Sequence, residues 1–294
     1  MPGAVYVNGR VTGEHDAVIP VFDHGFLYGE GVYEVCRTYA GRVRMPARHL
    51  ARLRQSAALI ALPVPFSDGD LSGWMHQTLE AGQLLPWRPG VADAYVRVMV
   101  TRGVGDLNYD PAGCPAPTVV IIARPHTPPP PGAYESGVEV AVVDVERNRP
   151  QALNPRIKSN NLLNNALAMQ QAITRGAFEA VMRNHAGALA ECSQSNLFVV
   201  AGGAVRTPPL DAGLLPGITR AFVLELCASL GIPAREMPLQ DADLRGADEA
   251  FLTSTTREIV PIVSADGGRI GAGVPGPVTL RLLAAFRERV GTAV

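Results

Sequence analysis

Lysine is almost missing from this chain. Of its 26 basic residues a single one, Lys158, is lysine and all the others are arginine. Arginine stays protonated and cannot form an imine, whereas a desolvated lysine can lose its proton and condense with a carbonyl compound. A chain that uses arginine at every other cationic position therefore points to imine chemistry at Lys158, with one surviving surface lysine as the alternative. Other strings that could do chemistry fail on context. Gly271-Ala272-Gly273-Val274-Pro275-Gly276 matches a dinucleotide-binding pattern, but Pro275 and Pro277 interrupt the helix that pattern needs. The 6 histidines form no H-E-x-x-H and no i, i+4 pair, and no G-x-S-x-G surrounds a serine, so a metal site or a serine nucleophile is poorly supported. The 4 cysteines contain no C-x-x-C pair, which argues against a zinc knuckle or a disulfide framework.

The elements that must position Lys158 follow from periodicity. Val5 to Val11 alternates around Asn8-Gly9, and Gly31 to Arg44 does so around Ala40-Gly41, so two hairpins are predicted. Helices are expected over Pro46–Leu62 and, with Asp68 as cap, over Asp68–Leu84; Ala94–Thr101 and Pro117–Ala123 read as strands. The run His126-Thr127-Pro128-Pro129-Pro130-Pro131-Gly132 can continue neither helix nor sheet and marks a boundary. The expected organisation is a small N-terminal α/β domain over 1–125, a linker over 126–136 and a larger C-terminal domain over 137–294. In the second half, a strand over Val138–Val145 leads through a Pro-rich turn to Lys158, at or just before a helix that ends near Gly176. Strands over Glu179–Arg183 and Asn196–Ala201 flank a loop, and Gly202-Gly203 turns the second into a hairpin. A helix opening at Leu215–Arg220, strands over Glu249–Thr253 and up to Val263, and a final helix over Pro277–Val290 complete the chain.

Composition sets the frame. A length of 294 residues with 47% hydrophobic and 18% charged residues suits a globular protein with a sizeable core. No apolar run reaches the roughly 20 residues of a membrane span, and no signal peptide is readable, so a cytoplasmic location with no membrane partner is expected. A net charge of -1 offers no broad basic surface for nucleic acid, leaving small molecules as the expected partners.

Several strings fall together along nearly the whole chain. They are Asp23-His24-Gly25 through Tyr33-Glu34, His49-Leu50-Ala51-Arg52-Leu53, and Arg156-Ile157-Lys158-Ser159-Asn160-Asn161 through Ala168. Leu189-Ala190-Glu191-Cys192-Ser193-Gln194-Ser195-Asn196, Leu215-Pro216-Gly217-Ile218-Thr219-Arg220 and Thr253-Ser254-Thr255-Thr256-Arg257-Glu258 follow in order. Together they resemble the class IV aminotransferases, a family that includes branched-chain and D-amino-acid aminotransferases and aminodeoxychorismate lyase. The resemblance implies an α/β (α+β) architecture, fold type IV of the pyridoxal 5'-phosphate enzymes, built from two α/β domains and usually assembled as homodimers or higher homo-oligomers.

It also implies roles. Lys158 would hold the cofactor as an imine and move the proton during catalysis. Glu191 matches the acid beside the pyridine nitrogen, whose protonation makes the ring an electron sink. Arg52, the helix start Gly217-Ile218-Thr219 and Thr255 match the phosphate anchors, a role that suits a guanidinium and free N–H groups. Tyr33, Tyr95, Arg97 and Thr256 match positions for substrate, where Arg97 would receive the side-chain carboxylate of glutamate. The expected reaction is transamination between an apolar, branched-chain L-amino acid and 2-oxoglutarate, with no metal. Alternatives on the same scaffold are a D-amino-acid transaminase, an (R)-amine transaminase and the lyase. Leu107 and Tyr109 stand where D-specific members carry an Arg-x-His carboxylate trap. Against branched-chain members, Val35 and Cys192 replace glycines and Leu163 replaces a tyrosine.

Overall fold

The computed structural model describes residues 3–88 and 90–292. The chain forms two compact units, one made of the chain up to Thr127 together with Ile157–Asn161, the other of Pro128–Arg156 and the chain from Leu162 onward. Ile157–Asn161, which an N-terminal domain ending at residue 125 would exclude, groups with the first unit because it pairs with the edge of a strand there.

The first unit begins with a hairpin of β1 (Ala4–Val7) and β2 (Arg10–Thr12), then a short helix α1 (His24–Leu27) and a second hairpin of β3 (Gly31–Tyr39) and β4 (Arg42–Val43). Both turns are those expected, with Asn8-Gly9 and Ala40-Gly41 in the positive-φ conformation that tight hairpins use. Helices α2 (Pro46–Leu59) and α3 (Asp68–Ala81) and strands β5 (Ala94–Thr101) and β6 (Thr118–Pro125) complete the unit. The cap of α3 is Ser67, not Asp68: Ser67 Oγ accepts the Asp70 N–H at 3.0 Å while Asp70 accepts the Ser67 N–H at 2.8 Å.

The strands form one antiparallel sheet in the order β2-β1-β6-β5-β3-β4. Its alternation places the site. Along β5, Ala94, Val96, Val98 and Val100 face the core that α2 and α3 fill with Leu50, Leu53, Leu71, Met75 and Leu79. Tyr95, Arg97 and Met99 therefore project from the opposite face. In β3, Val35 lies opposite Arg97 and Tyr33 opposite Met99, so Tyr33 and Val35 share that face while Glu34 points back toward α2.

The second unit contains β7 (Val138–Val142), α4 (Leu163–Thr174), β8 (Glu179–Arg183), β9 (Leu189–Cys192), β10 (Asn196–Ala201) and β11 (Ala204–Thr207). It continues through α5 (Ile218–Leu230), β12 (Ala234–Glu236), α6 (Asp241–Arg245), β13 (Glu249–Ser254), β14 (Glu258–Ala265), β15 (Gly268–Arg269) and α7 (Pro277–Thr292). The mixed sheet runs β12-β11-β10-β13-β14-β7-β8-β9 with β15 on β14. Two short elements, β12 and α6, carry too few apolar positions for a period to show in sequence. Glu191 lies on strand β9, inside the expected loop, because Leu189–Cys192 pairs with β8. Strand β7 stops at Val142, short of Val145.

Candidate active site

In the first unit, Lys158 sits on a strand-like edge. Ser159 bridges Val32, the Tyr33 N–H donates to the Lys158 carbonyl at 2.9 Å, and the Asn160 N–H donates to the Gly31 carbonyl at 2.9 Å. The Lys158 N–H is held by Ser56 Oγ of α2 at 3.1 Å. Gly31 is required at this junction, since a Cβ there would lie 2.5 Å from Asn160 Nδ2 and 2.9 Å from the Val100 carbonyl oxygen. With its backbone pinned on both sides, Lys158 projects over Tyr33, its Nζ 4.5 Å from the ring centroid. The Arg97 guanidinium lies over the same ring at 3.9 Å.

Arg97 donates through Nε to Met99 Sδ at 3.1 Å and, among the described residues, makes no ion pair. The two acids that could have neutralised it are engaged elsewhere: Asp93 lies 3.8 Å from Arg37, and Glu34 faces α2. Tyr95 shares the face of Arg97, as its spacing predicts, and is half-buried.

Arg52 is buried on the other side of the sheet, not on a solvated helix face. Its Nε and one terminal nitrogen donate to the two oxygens of Glu34 at 2.6 and 2.9 Å, and His49, one turn earlier, meets Glu34 at 2.7 Å. Glu34 is fully buried. Burial pushes its carboxyl up, but the Arg52 charge and the bonds from Arg52 and His49 outweigh this and hold it at about 2. Burial pushes His49 below the ordinary histidine value, with Glu34 opposing. Glu34 and His49 went unassigned in sequence reading; the i, i+3 spacing of His49 and Arg52 on one helix face was the available signal.

In the second unit, Glu191 is buried on β9. Its Oε1 accepts Arg147 Nε at 2.7 Å; its Oε2 accepts the Leu215 N–H at 3.0 Å and Asn196 Nδ2 at 3.5 Å. Asn196 also bonds the Leu215 carbonyl at 3.1 Å and stands opposite Thr253 in the sheet, so β9, β13 and the approach to α5 converge on it. Gly217 begins α5 without a side-chain cap, leaving the first N–H groups of Ile218 and Thr219 without intrahelical partners. A Cβ at Gly217 would lie 1.9 Å from Asn196 Oδ1, so only glycine fits.

Thr255 and Thr256 form the turn between β13 and β14. Just before them, Thr253 Oγ1 and Ser254 Oγ are buried without a hydrogen-bond partner among the described residues. Glu179, also fully buried, ties this turn to the segment after Glu191: it accepts Ser193 Oγ at 3.3 Å, Ser195 Oγ at 3.0 Å, the Gln194 N–H and the Arg257 guanidinium. An uncapped helix start, orphaned hydroxyls and a buried carboxylate make a donor and acceptor set that suits a phosphorylated, nitrogen-containing ring. In the first unit, Lys158 carries an amine that could bind a carbonyl compound. Arg147, in the irregular stretch after β7, Asn196 at the start of β10 and Glu179 at the start of β8 are further residues of this polar cluster that the sequence did not single out, since a single polar position carries no periodic signal.

These features define a pyridoxal-phosphate enzyme of fold type IV. The family profile described as Amino-transferase class IV matches residues 31–265, and the chain belongs to that family. It is 40% identical over 284 residues to the putative branched-chain-amino-acid aminotransferase of Methanocaldococcus jannaschii, covering 97% of this chain and 95% of the relative. It is 33% identical to the D-alanine aminotransferase of Bacillus licheniformis, over 97% of this chain and 96% of the relative. Among solved structures, the branched-chain amino acid aminotransferase of Escherichia coli aligns with a TM-score of 0.91 at 30% identity, over 97% of this chain and 93% of that one. The T.th. branched-chain enzyme complexed with N-(5'-phosphopyridoxyl)-L-glutamate aligns at 0.90 and 27% identity, over 99% of this chain and 95% of that one. The protein is thus an aminotransferase that uses pyridoxal 5'-phosphate and acts on amino acids and oxo acids. Among the described residues no helix is long and apolar enough to cross a membrane.

Proposed function

We propose that the enzyme transfers the amino group of a branched-chain L-amino acid to 2-oxoglutarate. The observation that carries the acceptor is Arg97, a half-buried guanidinium with no carboxylate partner among the described residues, sharing a sheet face with Tyr33, Tyr95 and Val35. A carboxylate of the substrate would satisfy it, while the phenols and Val35 form the apolar walls a branched side chain needs. A similar enzyme crystallised with a phosphopyridoxyl-L-glutamate adduct supports that choice.

Pyridoxal phosphate, when bound, supplies a carbonyl that captures the amino group and a ring that withdraws electrons from the neighbouring carbon. Lys158 is the side chain that would hold that carbonyl and, once displaced by the substrate amine, carry a proton at Nζ. The Tyr33 ring gives its charged form a resting place. Glu191 would accept the ring N–H. The Ile218 and Thr219 N–H groups, Thr255 and Arg52 would hold the phosphate, with Glu34 and His49 fixing the Arg52 side chain. Thr256 would line the substrate side.

The test is a panel of L- and D-amino acids with 2-oxoglutarate and pyruvate as acceptors, run on wild type and Arg97→Met. We expect L-leucine, L-isoleucine or L-valine with 2-oxoglutarate to lead. Arg97→Met should weaken 2-oxoglutarate and glutamate by about 2 kcal/mol, the low end for losing one partner of a desolvated ion pair, and spare aliphatic donors. Equal losses for both classes would remove Arg97 from the acceptor site. A D-specific reading is favoured by the D-alanine aminotransferase relative, and leading activity with D-alanine would establish it.

We further propose a homodimer. Val18, Val21, Phe22 and Phe26 are exposed side by side in sequence, and Val104, Leu107 and Tyr109 are exposed on the loop bonded to that segment through Asp23 and His24. So much apolar surface on one segment pair suits an interface. The cytoplasm remains the proposed compartment, where the unpaired Cys36, Cys114, Cys192 and Cys227 would stay reduced.

A further inference from the structure

Arg147 has no role in the reading above. It lies in the irregular stretch after β7 and is buried, its N–H bonded to the Arg183 carbonyl at 2.8 Å. One side of its guanidinium meets Glu191 Oε1 at 2.7 Å, and another nitrogen donates to Asn164 Oδ1 at 3.0 Å. Asn164, in the first turn of α4, donates in turn to the Glu146 carbonyl at 2.8 Å, so the guanidinium is clamped at both ends. The second oxygen of Glu191 is taken by the Leu215 N–H and Asn196. A buried carboxylate is costly without such donors, and donors on both oxygens also fix the plane of the group.

We infer that Arg147 is a positioning residue that holds Glu191 ionised and aimed, so that the carboxylate, rather than a carboxylic acid, faces the cofactor's ring nitrogen. The inference rests on Glu191 being the ring partner. A carboxylate can only accept a hydrogen bond and so favours a protonated ring nitrogen, whereas a neutral acid would donate its own proton to an unprotonated ring. Asn164 acts one step further out, by keeping the guanidinium in the orientation that Glu191 needs.

The experiment compares equilibrium binding of pyridoxal 5'-phosphate with that of its 1-deaza analogue, in which C–H replaces the ring nitrogen, on the full chain. The quantity read is the ratio of the two dissociation constants. A general loss of folded protein or of phosphate binding does not move that ratio. Wild type should prefer the natural ring, and Glu191→Leu, which leaves neither donor nor acceptor for the ring nitrogen, should lose most of that preference. Arg147→Met should cut the preference at least about tenfold, and Arg147→Met added to Glu191→Leu should change it no further. Arg147→Lys keeps the charge but cannot span both partners, and Asn164→Ala releases one end of the clamp; each should cut the preference by less. These two variants carry the test if Arg147→Met does not fold. If Glu191→Leu removes the preference while the Arg147 and Asn164 variants retain it, Arg147 is only a packing residue and the inference fails alone. If Glu191→Leu retains the preference, Glu191 is not the ring partner and both readings fall.

Discussion

At the scale of the residue, Lys158 owes its position to its backbone and its chemistry to its side chain. Its N–H and carbonyl are tied to Ser56 and Tyr33, and none of these bonds involves Nζ. Lys158→Arg should therefore fold with a melting temperature near wild type. Arginine keeps a cation over the Tyr33 ring but can neither hold a carbonyl nor lose a proton. The variant should lose the visible absorption of the bound cofactor and at least about a thousandfold in turnover, in line with the loss of a proton-transfer group. Absorption spectra and single-turnover rates check this. Retained activity would show that an amine elsewhere does the work.

At the scale of the element, β3 divides its duties by parity. Tyr33 and Val35 face the side of the sheet proposed for substrate, and Glu34 faces α2, where it meets His49 and Arg52. A one-residue slip of β3 would exchange these faces and destroy both arrangements. The Glu34 network also carries a pH signature. The folded carboxyl sits at about 2 against an ordinary value of 4.5, so the folded state binds its proton less readily than the unfolded chain. Its stabilising contribution, on the order of a few kcal/mol, is complete above the ordinary value and fades as pH falls toward about 2. Glu34→Gln should therefore lower the melting temperature clearly at pH ~6, with the gap to wild type closing between pH ~5 and ~2.5. A gap that stays constant across that window would mean the carboxylate charge contributes nothing.

At the scale of the whole molecule, the prediction concerns association. Phe26 is 65% exposed and Tyr109 83% exposed on segments that the buried His24 holds together, its ring meeting Glu30 and the Asp106 carbonyl. If this surface is the proposed interface, Phe26→Glu should shift the mass measured by light scattering from dimer toward monomer. Such a surface change away from the core should alter monomer stability by only about 0.5 kcal/mol. An unchanged mass would place the interface elsewhere or leave the chain monomeric.

How much of this was legible in sequence depends on range. Both hairpins, the helices α2 and α4, strand β5 and the glycine start of α5 could be read locally, because turn residues and apolar periods act over a few positions. Lys158 stood out by composition, since a lone lysine among arginines needs no neighbours to be noticed, but it was the string around it, not the count, that weighed against a surface lysine. The shared face of Tyr95 and Arg97 followed from the two-residue repeat of a strand. Partnership was not legible. That Arg52 pairs with Glu34, that Arg147 holds Glu191, and that Glu179 gathers Ser193, Ser195 and Arg257 depends on strands and loops brought together from distant parts of the chain. Residue types and local spacing thus determined which groups could do chemistry and on which elements they lie. Tertiary structure alone decided which charges neutralise one another and left Arg97 without a carboxylate partner among the described residues, because a buried charge is settled by what packs against it and not by its place in the chain.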